Sequence, residues 1–524
     1  MAGSGKLVVA HDEASNRAGP SVEAVPLSDD DDRRICLKTD RVILSILVWV
    51  YFLQVLDKSV LAYGAAYGLK ADTGLTGNQY SLVCAAAPIA QLAWQPMSSY
   101  LIVRVPHRIL MTALVLGWGI AQSASAACHN FSGLMAARFF LGLFEAGCLP
   151  LFGIITSQWY RRAEQPLRIA AWYGTNGLAT IFISLVSFGL GQIRSSTLRP
   201  WQIIFLFVGL VTVVSAPLVY WRLDNDVHSA RFLDQDEKLQ ALERLRANQT
   251  GTGSRAFDLS QIVEAAREPK TYLWFAMTLL LNIGASVTNA FGPLILDGLV
   301  SDHSFTSLLN MPFGALQFIV ILLASYLAQK AKLKGAVLAL FMVPVVAGLA
   351  VLYAVRHDAA HQGALLAGYY LLACLFGGNP LIVTWIIGNT AGSTKKSIVM
   401  SLYNAASAIG NIIGPLLFHE KDAPTYKPGL RACLAIFVTL VVVVLMQWTN
   451  LVALNKMQET RRVRNGKPAK VVDHSMQQHF QVAGDGGSIQ HVEIRVGDNN
   501  SRLPVDMTNS DLTDGQNDEF IYIY

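Results

Sequence analysis

The sequence predicts an all-α polytopic membrane protein whose twelve transmembrane helices form two six-helix halves. Twelve apolar stretches, each about long enough to cross a bilayer, sit in two sets of six around a charged stretch from Arg222 to Lys270. Hydrophobic residues make up 52% of the 524 residues and charged residues only 15%, against about 25% charged in an ordinary soluble domain. That is too little charge to wet a globular surface of this size. Within hydrocarbon only helices and closed barrels satisfy every backbone polar group, and runs of this length are helical. A channel or carrier follows, and a soluble enzyme is excluded.

Along the chain, residues 1–41 form a polar tail containing Asp29 to Asp32, expected to be cytoplasmic and disordered. It has no charged-then-apolar start and cleavage site, so no removable signal peptide is expected, and the first span acts as the insertion signal. The first half, 42–221, holds spans 42–62, 80–103, 109–128, 133–156, 168–191 and 201–221. The linker 222–270 contains an amphipathic helix from Ser229 to Asn248, with Phe232, Leu239, Leu242 and Leu245 apolar among charged neighbours, read as a strap under the bundle. The second half, 271–452, holds spans 271–293, 306–328, 334–355, 363–388, 397–418 and 430–452. From 453 to 524 a second polar, Gly-, Asn- and Asp-rich tail is expected to be cytoplasmic and disordered. A linker dividing six helices from six is what two parallel repeats with a site between them produce.

Orientation follows from Lys and Arg placement. Arg104 and Arg108, Arg161, Arg162 and Arg168, Lys330, Lys332 and Lys334, and Lys395 and Lys396 fall on the side of both tails and the linker, which makes that side cytoplasmic. The net charge of +5 belongs to these topology signals and forms no continuous stripe, so nucleic acid is not an expected partner. The six cysteines show neither metal spacing nor a disulfide framework, and no cofactor is expected. A sequon at Asn130 lies in an external loop close to the membrane, a weak glycosylation signal; those at Asn248 and Asn499 would be cytosolic.

Ionisable groups inside apolar spans are costly, which makes each a functional candidate. Arg138 and Glu145 in the fourth span are seven residues apart and share a face, with Gly142 between them. The planar fork of an Arg suits a carboxylate, and a carboxyl held near mid-membrane is placed to exchange a proton. The alternative is a structural ion pair to a neighbouring helix. Asp57 in the first span lies at about the depth of Arg138, so that it either pairs with Arg138 as a gate or caps or pairs locally, whereas Lys58 reads as snorkelling to the outer interface.

The second half carries amides instead. Asn282, Ser286 and Asn289 share one face of the seventh span, and Asn404, Ser407 and Asn411 one face of the eleventh. Gly377-Gly378-Asn379-Pro380 interrupts the tenth span and suggests a solute site, with Trp385 as a possible wall. Tyr173, Asn176 and Thr180 add polarity to the fifth. For any single one of these residues, gluing helices together is the preferred reading.

The stretch Arg138 to Gly147, continuing through Pro150, Trp159-Tyr160, Glu164-Gln165, Arg168 and Ala171-Trp172-Tyr173, resembles the fungal allantoate permease family, anion:cation symporters of the major facilitator superfamily. The likeness recurs at Leu56-Asp57-Lys58, at Gly68-Leu69-Lys70 through Tyr80, at Ala230 to Leu233, at Trp385 through Lys396, at Gly410 to Pro415 and at Ala423 to Tyr426. It covers roughly residues 40 to 455. The resemblance implies a major facilitator fold working by alternating access, usually in proton-coupled uptake of small organic anions at the plasma membrane. It also places Arg138 and Glu145 at the cavity and Lys395-Lys396 in a cytoplasmic loop; separately, a monomer is expected. The second helix departs from the family pattern: Trp94-Gln95-Pro96-Met97 places an amide, Gln95, where the family carries an acid.

The expected partners are thus a small organic solute, a proton as coupling ion and the lipid bilayer. Two rival functions remain open at this point: export of a specialised metabolite, which the divergent second helix favours, and nutrient sensing without transport, supported only by the long C-terminal tail.

Overall fold

The computed structural model describes residues 29–76, 79–191, 193, 195, 197–246, 257–289, 303–356, 361–418, 426–469 and 511–524. A helix α1 (Asp29–Thr39) runs through a π-helical turn (Asp40–Leu44) into α2 (Ser45–Ala66), the first span. Four acidic residues open α1 and Lys38 lies in its last turn, which complements the helix dipole. The second and third spans are α3 (Gln79–Arg104) and α4 (His107–Ser125). The fourth is broken into α5 (Phe131–Glu145) and α6 (Cys148–Trp159). The fifth and sixth are α7 (Gln165–Gly191) and α8 (Pro200–Arg222). The linker folds into α9 (Gln235–Arg246) and α10 (Leu259–Arg267).

The second half follows as α11 (Pro269–Asn289), α12 (His303–Ala331) and α13 (Lys334–Ala354). The tenth span is α14 (Gln362–Leu371), a 3-10 segment Leu372–Gly377 and α15 (Gly378–Gly388). The chain then forms α16 (Ser393–Ile413) and α17 (Lys427–Arg464). The interruption in the tenth span therefore ends on the first glycine of the pair, and Pro380 sits in the first turn of α15, where a missing N–H is tolerated. Among the described residues eight helices are long and apolar enough to cross a membrane. Of the remaining bundle helices α3, α4, α11 and α16, three, α3, α11 and α16, carry Gln91, Gln95, Asn282 and Asn404 in buried positions.

Helix packing obeys the two-repeat symmetry. Within the first half α2 packs on α7, α4 on α8 and α3 on α5; within the second, α11 packs on α16, α13 on α17 and α12 on the 3-10 segment of the tenth span. Shifting each pair by six spans turns one set into the other. The halves meet through α7 against α12 and α3 against α16, which the same operation exchanges. Close approach at these seams needs glycine. A Cβ on Gly177 would lie 2.5 Å from the Gly314 carbonyl oxygen across the α7–α12 seam, and one on Gly142 would lie 2.3 Å from the Ala87 carbonyl oxygen of α3.

The tails depart from the expected disorder wherever they are described. In α1, Lys38 pairs with Glu237 of the linker at 2.7 Å, and Asp32 with the buried Arg244, which also engages Glu164. The second tail begins as a continuation of α17 to Arg464, and residues 511–524 pack with Phe520, Tyr522 and Ile523 buried. These segments lack a hydrophobic period of their own, and ion pairs and a few aromatic anchors to the bundle hold them instead. The linker helix expected from Ser229 is confined to Gln235–Arg246, and Phe232 before it stacks on Trp159 at 5.7 Å. The amphipathic pattern is only partly used, since Leu239 is exposed. Residues 1–28 and 470–510, with Asn248 and Asn499, lie outside the described residues. The linker, α1, the loop at Arg162 and residues 511–524 share one end of the bundle, the terminal face.

Candidate functional site

Arg138 projects from the middle of α5, 4% exposed, and among the described residues no hydrogen bond or ion pair engages its guanidinium. Its charge is felt by Glu145, Asp57, Cys84 and Tyr80, yet none of these lies within ion-pairing distance. Glu145, 1% exposed, ends α5; one carboxylate oxygen accepts the Gln91 amide at 2.9 Å and the other has no partner among the described residues. Asp57 is fully buried and turned towards α8, where Thr212 Oγ1 donates to it at 3.4 Å. Of the two readings open for Asp57, the local partner is the one formed, and among the described residues no ion pair joins it to Arg138. The carboxylate faces the interior of its own half, where a hydroxyl serves it. Nor is either acid paired to Arg138 as a structural ion bridge. Lys58 is exposed, and its charge reaches Glu145 and Cys148.

The break in the fourth span supplies the second element of the site. Between α5 and α6 the Ala146 carbonyl oxygen accepts Asn404 Nδ2 of α16 at 2.8 Å and Gln95 Nε2 of α3 at 3.3 Å. Gln95 also donates to the Gln91 carbonyl at 2.9 Å. Two amides named from the sequence thus converge on one carbonyl, across the seam between the halves. Gln91 is absent from that reading, although its place one turn before Gln95 puts both on one helix face.

A second chain of polar contacts runs through the second half. Tyr173 and Tyr403 share a hydroxyl–hydroxyl bond of 2.7 Å between α7 and α16, and Tyr403 donates to Asn379 Oδ1 at 3.1 Å. Asn282 Nδ2 reaches the same oxygen at 3.4 Å, and Ser407 donates to Asn282 Oδ1 at 3.1 Å. The amide rows are therefore joined to each other and, through Tyr173, to the first half. Tyr403 is missing from the sequence reading because a tyrosine in an apolar span carries no signal distinct from core packing. Asn176 sits at the edge, 3.4 Å from the Tyr51 hydroxyl.

Several named residues stand elsewhere. Trp385 is not a wall of this site. It is fully buried towards the terminal face, edge-on to Trp274 at 4.9 Å, and its indole N–H donates to the Ile523 carbonyl at 2.8 Å. A buried indole needs an acceptor, and residues 511–524 provide it. Asn411 is exposed and bonds within its own helix to the Ser407 carbonyl at 2.9 Å. Asn130 caps α5, its side chain accepting from the Gly133 N–H at 2.8 Å. The side chain of Asn289 lies outside the described residues.

On the terminal side of these networks the halves are closed. Ser397 Oγ of α16 donates to the Ser99 carbonyl of α3 at 3.0 Å, and Lys396 Nζ approaches Ser157 Oγ of α6 at 3.4 Å. Among the described residues the arrangement holds a guanidinium with no ion-pair partner and a carboxyl with one neutral hydrogen-bond partner, beside the seams between the two halves.

Residues 47–415 match the Major Facilitator Superfamily family model. The thiamine pathway transporter THI73 of Saccharomyces cerevisiae is 32% identical over 413 residues, 76% of each chain. The allantoate permease of the same yeast is 28% identical over 466 residues, 84% of each chain. Among solved structures, the proton:xylose symporter XylE bound to 6-bromo-6-deoxy-D-glucose aligns with a TM-score of 0.60 at 13% identity, covering 78% of this chain and 95% of that one. At that identity the likeness concerns the fold alone.

Proposed function

The chain belongs to the Major Facilitator Superfamily, as a secondary transporter of the allantoate permease type and not an enzyme, and from that premise we propose that its solute is a small organic anion carried together with a proton. In this reading Arg138 binds the solute carboxylate and Glu145 carries the proton. The observation that supports it is the Arg138 guanidinium, buried in a spanning helix with no protein anion paired to it among the described residues. A buried charge of that kind is costly to keep, and an incoming carboxylate is the partner its planar fork fits. Glu145 complements it. Its only described hydrogen-bond partner is a neutral amide, which serves a protonated or an ionised carboxyl alike by turning its own donor or acceptor towards it.

Gln95, Asn404, Asn282 and Asn379 then line the path and hold the halves together until solute and proton are both bound. One proton with one monoanion moves no net charge, so the membrane potential contributes nothing, while each unit of pH difference contributes about 1.4 kcal/mol. The Lys and Arg distribution supports a cytoplasmic terminal face.

The test is a thermal-stability screen of the purified full chain against small carboxylates and their neutral amide and alcohol isosteres. A ligand that binds only the folded state raises its melting point. The reading requires carboxylates to stabilise and their neutral isosteres not to; stabilisation by neutral isosteres alone would overturn it.

A further inference from the structure

Residues 511–524 lie against the terminal face, far along the chain from the helices they touch, and none of the transport chemistry above uses them. Their contacts with the second half are specific in direction. Asn389 clasps Ile523 at both ends of its amide, Nδ2 donating to the carbonyl at 2.9 Å and Oδ1 accepting the N–H at 2.7 Å. Asn455 does the same for Tyr522, at 2.8 Å and 2.9 Å. Asp511 caps the start of α16 by accepting from the Ser393 N–H at 2.8 Å. Asp514 is fully buried between Lys270 and Lys395, the latter at 3.0 Å. Burial alone would raise its carboxyl, but the two ammonium groups outweigh that and hold it below the ordinary carboxylate range. A paired side-chain amide is how one strand of backbone is read by another chain. The terminal face thus has the character of a peptide-binding cleft.

The segment also touches the first half. Arg162, in the loop between α6 and α7, donates from Nη1 to the Ile521 carbonyl at 3.2 Å and stacks on the Phe520 ring at 4.3 Å. The contact lies beside the closure formed by Ser99, Ser157, Lys396 and Ser397. When a carrier of this fold opens towards that face, the loop of Arg162 and the loop of Asn389 to Lys395 must separate. A segment bonded to both cannot stay bonded to both.

We propose that residues 511–524 are an intramolecular latch: they occupy a peptide-binding cleft on the second half and, through Phe520 and Ile521, tie it to Arg162 of the first, so that the terminal face opens only when the latch leaves. The latch stabilises the state closed at that face, and anything that draws the segment away speeds entry into the other state. A docked segment with a merely structural role would affect only the residues it covers. The latch also acts on the Ser99–Ser397 seam, which it does not touch, and on the opposite end of the bundle, which closes as this one opens.

Hydrogen–deuterium exchange on the full chain and on a variant lacking 511–524 tests it, with a synthetic peptide of those fourteen residues added in trans. Removal should raise exchange in residues 97–104 and 397–403 at the seam and lower it in residues 79–88 at the opposite end, and the added peptide should reverse both. A peptide with Asp514→Asn should need about tenfold higher concentration for the same reversal, equivalent to about 1.4 kcal/mol. If the truncated chain fails to fold, full-length Asp514→Asn carries the same expectations. Exchange that rises only in the covered residues 385–396 and 455–462, with the seam and the opposite end unchanged, would overturn the proposal, as would a folded truncated chain that the peptide does not restore.

Discussion

Arg138→Gln separates what the guanidinium costs the empty protein from what it contributes to binding. Arg138 lies seven residues after Phe131 in α5, roughly 10 Å along the helix at about 1.5 Å per residue, well inside the hydrocarbon depth. An Arg at such depth costs about 2.5–3.5 kcal/mol on insertion scales, and no described side chain offsets this with an ion pair. A neutral amide of similar reach removes most of that penalty, so the empty protein should gain about 1–2 kcal/mol of stability. Binding should move the other way. Loss of one partner of a desolvated, hydrogen-bonded charge pair costs about 2–4 kcal/mol, or roughly 30- to 900-fold in Kd. Thermal unfolding of purified wild type and variant, with and without the stabilising carboxylate, reads both quantities in one experiment. An empty variant with a lower melting point than wild type would mean that the guanidinium is structurally paired, and an unchanged ligand-induced shift would mean that the carboxylate binds elsewhere. Either result refutes the reasoning.

Glu145→Gln keeps an acceptor for Gln91 but cannot release a proton, so in proteoliposomes it should retain solute exchange while losing accumulation driven by a pH gradient; accumulation at the wild-type level would exclude Glu145 as the carrier. Gly142→Ala places a methyl 2.3 Å from the Ala87 carbonyl oxygen and should destabilise the fold by about 1–3 kcal/mol, seen as a lowered melting point, whereas an unchanged one would deny the close α3–α5 contact. Tyr403→Phe removes the link from Tyr173 to Asn379 and should cost about 0.5–1.5 kcal/mol in the same assay. Burial, with Arg162 adding to it, pushes Lys396 down to about 8 from its ordinary 10.5 despite Asp511 and Asp514. Between those values the unfolded chain holds a proton that the folded chain has released, so Lys396 makes stability rise with pH through that window, by about 1.4 kcal/mol per unit. Lys396→Met should flatten that rise, and an unchanged slope would place the effect on other groups.

The spans were legible because a bilayer imposes a length and an apolarity that few other environments require, and the division by the linker exposed the repeat. Arg138 and Glu145 stood out for the converse reason, as charges where charge is expensive. What local pattern could not show was partnership. Nothing around Asp57 indicates that it turns to Thr212 and not to Arg138, because the choice depends on how α2 is rotated against α8. Trp385 looked like a cavity wall from its place after a Pro break; its acceptor lies in residues 511–524, more than a hundred residues away, where composition suggested disorder. Gln91 and Tyr403 carry no distinct signal in the sequence, because single polar residues on apolar helices look like ordinary packing until their partners are known.

The most direct measurement is proton movement with solute. In proteoliposomes holding a pH-sensitive dye, an inward gradient of the stabilising carboxylate, with no imposed pH difference or potential, should acidify the lumen with wild-type protein and leave it unchanged with Arg138→Gln or Glu145→Gln. Solute entry without acidification, or acidification that survives both substitutions, would contradict the account.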